Sequence, residues 1–324
     1  MKKFLFSIAL MTTALTVQAI DNNTVEVVYN GTTATVTVAD NIANYVTVTS
    51  GTSSHVKLTQ TNTNNVDGDE ITYILSGTST NGEFNMTGSF KCTVSLNNVT
   101  LTNPSGAAIN IANGKRIKIK AETDTENTLT DGNGSQKGCL YVKGHLELRG
   151  NGTLNVTGNY AHAIKSGEYI SVKNIKINVL GSVKDGMNCN EYFLMESGTV
   201  NITNAGDDGI QCDIENTAGT PIAATDNEHT DEDTGNFYQT GGTLNISLAT
   251  SSEGKYIKVK GTENHTGGVY NGVNYDTGVE SITISDYSGQ DTIYDLNGRK
   301  LSATPTSGLY IIKNNRKATK VIIK

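Results

Sequence analysis

The sequence predicts an all-β chain built around a parallel β-helix, a solenoid of stacked coils with small β segments at both ends. Three observations predict it. The segments Gly152-Thr-Leu-Asn-Val156, Asn174-Ile-Lys-Ile-Asn-Val179 and Gly198-Thr-Val-Asn-Ile202 share one pattern, and Asn155, Asn178 and Asn201 fall 23 residues apart. Behind each comes a second shared piece on the same step: Ala161-His-Ala-Ile164, Lys184-Asp-Gly-Met187 and Asp207-Asp-Gly-Ile210. Within each unit apolar and polar residues alternate as in strands, and no amphipathic helical stretch stands out past residue 20. A fixed period of this length means one structural unit per repeat, none able to bury its apolar side alone. A leucine-rich repeat has a similar period but would need a leucine ladder and a helical stretch, and these units have neither.

Residues 1–19 read as a secretory signal. Lys2 and Lys3 precede an apolar run from Phe4 to Val17, and Val17-Gln18-Ala19 offers a small-residue cleavage site. The run is too short to span a bilayer and no later segment reaches that length, so a secreted or cell-surface protein without membrane insertion is expected. Loss of the two signal lysines takes the formal charge from −7 to −9, which disfavours nucleic acid and anionic membrane as partners.

Residues 20–80 contain short strand-like runs such as Thr24-Val-Glu-Val-Val-Tyr29 and Thr33-Ala-Thr-Val-Thr-Val38, with Asn30-Gly31 as a turn signal. They are expected to form an N-terminal β segment that caps the open end of the solenoid. Residues 81–261 carry the β-helix. About six coils stacked roughly 4.8 Å apart would make a rod near 30 Å long. The pattern breaks after Asp213 for an acid-rich insertion that includes Asp226, Glu228, His229, Asp231, Glu232 and Asp233, then resumes at Gly242-Thr-Leu-Asn-Ile246. Such an insertion is expected as a surface loop. Residues 262–288 form a Gly/Asn/Tyr-rich link, and 289–324 a separate small β unit.

Cys92, Cys139, Cys189 and Cys212 are too few for a disulfide framework in a chain of 324 residues. Cys189 and Cys212 would stack within disulfide reach, but packing as small interior groups is the simpler role. The repeat also stacks Asp185 on Asp208, with Asp207 beside them and Asp213 and Glu253 near the same corner. Two carboxylates about 4.8 Å apart repel by roughly 1 kcal/mol in water and roughly 3.5 kcal/mol at an effective dielectric of 20. A divalent ion would relieve that cost, and calcium takes its ligands from oxygen. Gly186 and Gly209 would let the backbone turn tightly there and present carbonyls. Asp-Gly is also an ordinary turn dipeptide with solvated carboxylates.

These Asp-Gly-Met/Ile turns, each paired with a Gly-Thr-hydrophobic-Asn-hydrophobic strand, resemble a secreted bacterial carbohydrate-binding domain family with a right-handed, single-stranded parallel β-helix. That family is similar in architecture to pectate lyases. The resemblance spans roughly residues 70–260. It implies calcium held by Asp185, Asp207 and Asp208, and pectin- or cellulose-like plant polysaccharides as partners, without lyase chemistry. The departure at Ser251-Ser-Glu-Gly-Lys255 weakens any further calcium site on that coil. At the C-terminus, Tyr294-Asp-Leu-Asn-Gly-Arg299 followed by Gly308-Leu-Tyr-Ile-Ile312 resembles the sorting modules of exported Bacteroidetes proteins, which implies contact with export machinery.

For the glycan itself, Tyr169 stacked over Tyr192 could supply an aromatic platform in a chain without tryptophan, or could be ordinary packing between coils. Lys165 and Lys184 could meet acidic sugars. No catalytic residue is assigned. A lyase would need calcium and a basic side chain near the acid ladder, and a purely structural surface protein or adhesin would need neither.

Overall fold

The computed structural model describes residues 20–214 and 234–275. Toward the C-terminus it also describes 280–282, 292–296, 298–302, 305, 307–313 and 318–323. The chain winds into a β-solenoid of about 8 turns, and helix accounts for about 1% of it. The signal segment and the acid-rich insertion lie outside the described residues.

Each regular coil contributes one strand to each of three faces. On the first face lie Leu146–Gly150, Ile170–Lys173 and Phe193–Met195. The second holds Thr153–Gly158, Lys176–Ser182 and Thr199–Ala205, and the third His162–Ser166, Met187–Cys189 and Ile210–Cys212. Neighbouring coils pair in parallel and in register: Asn155 opposite Asn178, Asn178 opposite Asn201, and Asn201 opposite Asn245. Two long strands, Cys92–Asn103 and Phe237–Leu248, run through both the first and the second face and join them into one sheet. They turn the corner with residues in the left-handed region, Asn98 at φ 55° and Gly242 at φ 76°.

The core follows from the alternation. Inward positions form apolar columns, of which Ile109, Leu140, Ile164, Met187, Ile210 and Ile257 make one on the third face, all but Ile257 fully buried. Rings stack the same way: Phe193 lies over Phe237 with centroids 5.2 Å apart and planes 3° from parallel. Outside, amides form a ladder. Asn178 Nδ2 donates to Asn155 Oδ1 at 2.8 Å, Asn201 to Asn178 at 2.9 Å and Asn245 to Asn201 at 2.9 Å, so the ladder bridges the insertion without interruption.

One expectation changes in detail. The coils begin earlier than residue 81, because Thr24–Asn30 already pairs in parallel with Ile71–Ser79 and His55–Gln60 with Glu83–Gly88. That is why about eight turns are present rather than six. Thr33–Val38, antiparallel to Thr24–Asn30, and Val46–Ser50, antiparallel to His55–Gln60, lie at that end. On the third face Leu140 stands opposite Ile164, because that coil is one residue longer than the repeat. As expected for small interior groups, all four cysteines are free and buried, and Cys189 sits in register with Cys212. At the C-terminus, Glu280–Ile282, Thr292–Tyr294, Gly308–Lys313 and Ala318–Ile323 form a separate four-stranded sheet over Ile293 and Ile312.

Candidate metal and carbohydrate site

The turn between the second and third faces gathers Asp185, Asp207 and Asp208, with one oxygen from each lying within 4.8 Å of the others. Asp185 and Asp208 are 1% exposed and Asp207 is open to solvent. The two buried carboxylates are held by the coils themselves. Asp208 N donates to Asp185 Oδ1 at 3.2 Å, and Lys255 N donates to Asp208 Oδ1 at 2.8 Å, so each aspartate caps the turn stacked on it. Burial by itself would raise the Asp185 carboxyl, but His162 (Nδ1 at 3.2 Å), the 2.6 Å bond from Asn188 and the Asp208 N–H outweigh it and hold the group below its usual range. Lys258 Nζ lies 2.7 Å from Asp208 Oδ2, and that carboxylate pushes the ammonium's pKa up.

Gly186 and Gly209 are required by packing. A Cβ on Gly209 would meet Tyr256 O at 2.5 Å and collide with Ile246, and one on Gly186 would meet Gly209 O at 2.7 Å. Their carbonyls do not stand free for a cation as expected: Gly186 O accepts from Ile164 N at 3.1 Å and Gly209 O from Met187 N at 2.9 Å, within the coil ladder.

Two sequence-predicted ligands fall outside the cluster. Asp213 follows the strand Ile210–Cys212 at its far end, where it accepts from Gln211 Nε2 at 3.0 Å. Glu253 lies exposed on a lengthened turn. The offset from Asn201 to Asn245 is 44 residues, but from Asp208 to its stacked partner Lys255 it is 47, and these extra residues carry Glu253 out of register.

The expected sugar contacts also change. Tyr169 and Tyr192 do stack, with centroids 5.0 Å apart and planes at 21°, but they are 0% and 3% exposed and offer no face to a sugar. Lys165 is buried and donates to Asn188 and Asn190; burial lowers its pKa to about 8. Lys184 is exposed beside Asp185, as expected. A surface that sequence reasoning missed lies on the outer side of the first face. There Thr72, Thr93, Ser95, Lys118, Lys120, Glu122, Arg149 and Gly150 line a hollow of about 520 Å³. Arg149 Nη2 is bonded to Ser171 Oγ at 2.9 Å, whereas its Nη1 is buried without a hydrogen bond. The signal was the alternation Arg116-Ile-Lys-Ile-Lys120, whose lysines all face outward.

A family model described as "Carbohydrate-binding domain-containing protein" matches residues 67–295. The chain belongs to that family. A curated carbohydrate-binding domain-containing protein of Acetivibrio thermocellus is 25% identical over 133 residues, 34% of this chain and 46% of its own length. The matched stretch thus spans about half of that relative. Among solved structures, the polysaccharide lyase-like protein from C. thermocellum, a gadolinium derivative, is similar with a TM-score of 0.55 and 22% identity. The likeness covers 76% of this carbohydrate-binding domain chain and 99% of that one, and shows a shared β-solenoid fold.

Proposed function

We propose that this carbohydrate-binding domain protein is exported and binds acidic, plant-type polysaccharide without catalysis, in a calcium-dependent manner. The observation that carries the reading is the convergence of Asp185, Asp207 and Asp208 within 4.8 Å on neighbouring coils. Their donor set is all oxygen, which suits a hard cation, and the exposed Asp207 leaves one side open to a ligand. The partly exposed Lys258 ammonium already stands at Asp208 Oδ2, so an arriving ion displaces a flexible side chain rather than backbone. Calcium bound there would supply positive charge that a glycan carboxylate can share. The hollow with Lys118, Lys120 and Arg149 offers such carboxylates a second contact. Export rests on the signal segment, and contact with export machinery on the C-terminal resemblance.

Polygalacturonate and cellulose presented with calcium and then with chelator test this reading. Retention of the wild type on polygalacturonate, released by chelator, is the expected result. Ultraviolet-absorbing unsaturated products would instead establish a lyase. Failure to retain any glycan on a broad array would leave a structural surface protein or adhesin.

A further inference from the structure

The opposite ends of the third-face strands form another corner, and the family resemblance says nothing about it. There His145 precedes the strand Leu146–Gly150, Glu168 precedes Ile170–Lys173 and Glu191 precedes Phe193–Met195. Three consecutive coils therefore each deliver one side chain to the same place. His145 Nε2 lies 2.8 Å from Glu168 Oε2 and 3.7 Å from Glu191 Oε2, and all three donor atoms fall within 4.8 Å of one another. Donors on a single first-row ion, at bond lengths of about 2.1 Å, sit roughly 3.0–3.4 Å apart, which these separations bracket.

Three further features favour a bound cation over a simple ion pair. The Glu168 Oε2 atom is buried and accepts no hydrogen bond, although Nε2 of His145 is 2.8 Å away. The side chains of His145 and Glu191 are each 8% exposed and that of Glu168 is 24% exposed, so two carboxylates are gathered around one imidazole largely out of water. The imidazole is held in orientation by stacking on Tyr169, with centroids 4.3 Å apart and planes at 16°. A pre-set ring beside two carboxylates is a ligand arrangement, and each coil fixes its own part of it.

We infer that His145, Glu168 and Glu191 form a second metal site, selective for a borderline divalent transition ion such as zinc. The imidazole nitrogen distinguishes it from the all-oxygen aspartate corner, because nitrogen ligation favours first-row transition ions over calcium. The inference does not depend on the carbohydrate reading.

Cobalt(II) titrated into the chelator-stripped full chain, followed by visible absorption, tests it. The expected result is one absorbing cobalt(II) per chain, displaced by zinc and unaffected by excess calcium. His145→Gln and Glu168→Gln should abolish that absorption while Asp208→Asn retains it, with circular dichroism confirming that each variant is folded. Glu168 is the most exposed of the three, so Glu168→Gln decides the matter if His145→Gln does not fold. Absence of cobalt absorption in the wild type, or unchanged absorption in folded Glu168→Gln, would overturn the inference.

Discussion

At the scale of single residues, Asp185 and Asp208 do two things at once. Each accepts a backbone N–H from the coil stacked on it, and each lends an oxygen to the corner where three carboxylates meet. Asp185 is held below its usual carboxylate range, so it contributes stability that is fully present above the unfolded value of about 4 and is lost as pH falls through the lower folded value. Asp185→Asn should therefore flatten the acid limb of a stability-against-pH curve measured by urea unfolding. Lys165 gives the opposite sign. Its folded pKa is about 8 against an ordinary 10.5, so the unfolded chain binds the extra proton between those values and stability should rise with pH across that window. Lys165→Met should remove the rise in melting temperature between pH 8 and pH 10. Lys258 competes with any cation for Asp208, so Lys258→Gln should tighten calcium binding in a calorimetric titration.

At the scale of strands and turns, the repeat that was legible in the sequence is the repeat that packs. Asn155, Asn178 and Asn201 align as their spacing demands, and the Asp-Gly turns stack. What spacing could not show was where a coil gains residues. One extra residue puts Leu140 opposite Ile164 instead of Tyr141, and a longer turn places Lys255 opposite Asp208 and carries Glu253 away. Turns between strands tolerate such changes because only the inward columns must stay aligned. Glu168-Tyr169 and Glu191-Tyr192 were visible as a repeated pair, but the tyrosines drew attention as possible sugar contacts. Alternation does not say whether a residue at a corner is covered, and these rings are buried. Substitution in a column or a turn should be costly in a predictable way. Ile164→Ala, which removes a fully buried rung, should lower stability by about 2–5 kcal/mol in denaturant titration. Gly209→Ala should cost about 1–3 kcal/mol, because its Cβ has no space between Ile246 and the Tyr256 carbonyl.

At the scale of the molecule, stacking turns a weak local signal into a site. One Asp-Gly turn is an ordinary corner with a solvated carboxylate, whereas two on adjacent coils, with Asp207 beside them, concentrate negative charge against which His162 and Lys258 stand. The same stacking sets His145, Glu168 and Glu191 at the far ends of the same strands, so the solenoid carries two chemically different corners flanking one face. Family membership underlies the proposed carbohydrate ligand, and the two corners underlie the proposed metal ions.

Isothermal titration of calcium into the stripped full chain, wild type beside the double variant Asp185→Asn/Asp208→Asn, is the most direct measurement. Saturable calcium binding by the wild type, lost in a double variant that still shows its β-sheet circular dichroism, is the result this account predicts. Equal calcium binding by both proteins, or none by the wild type, would contradict it.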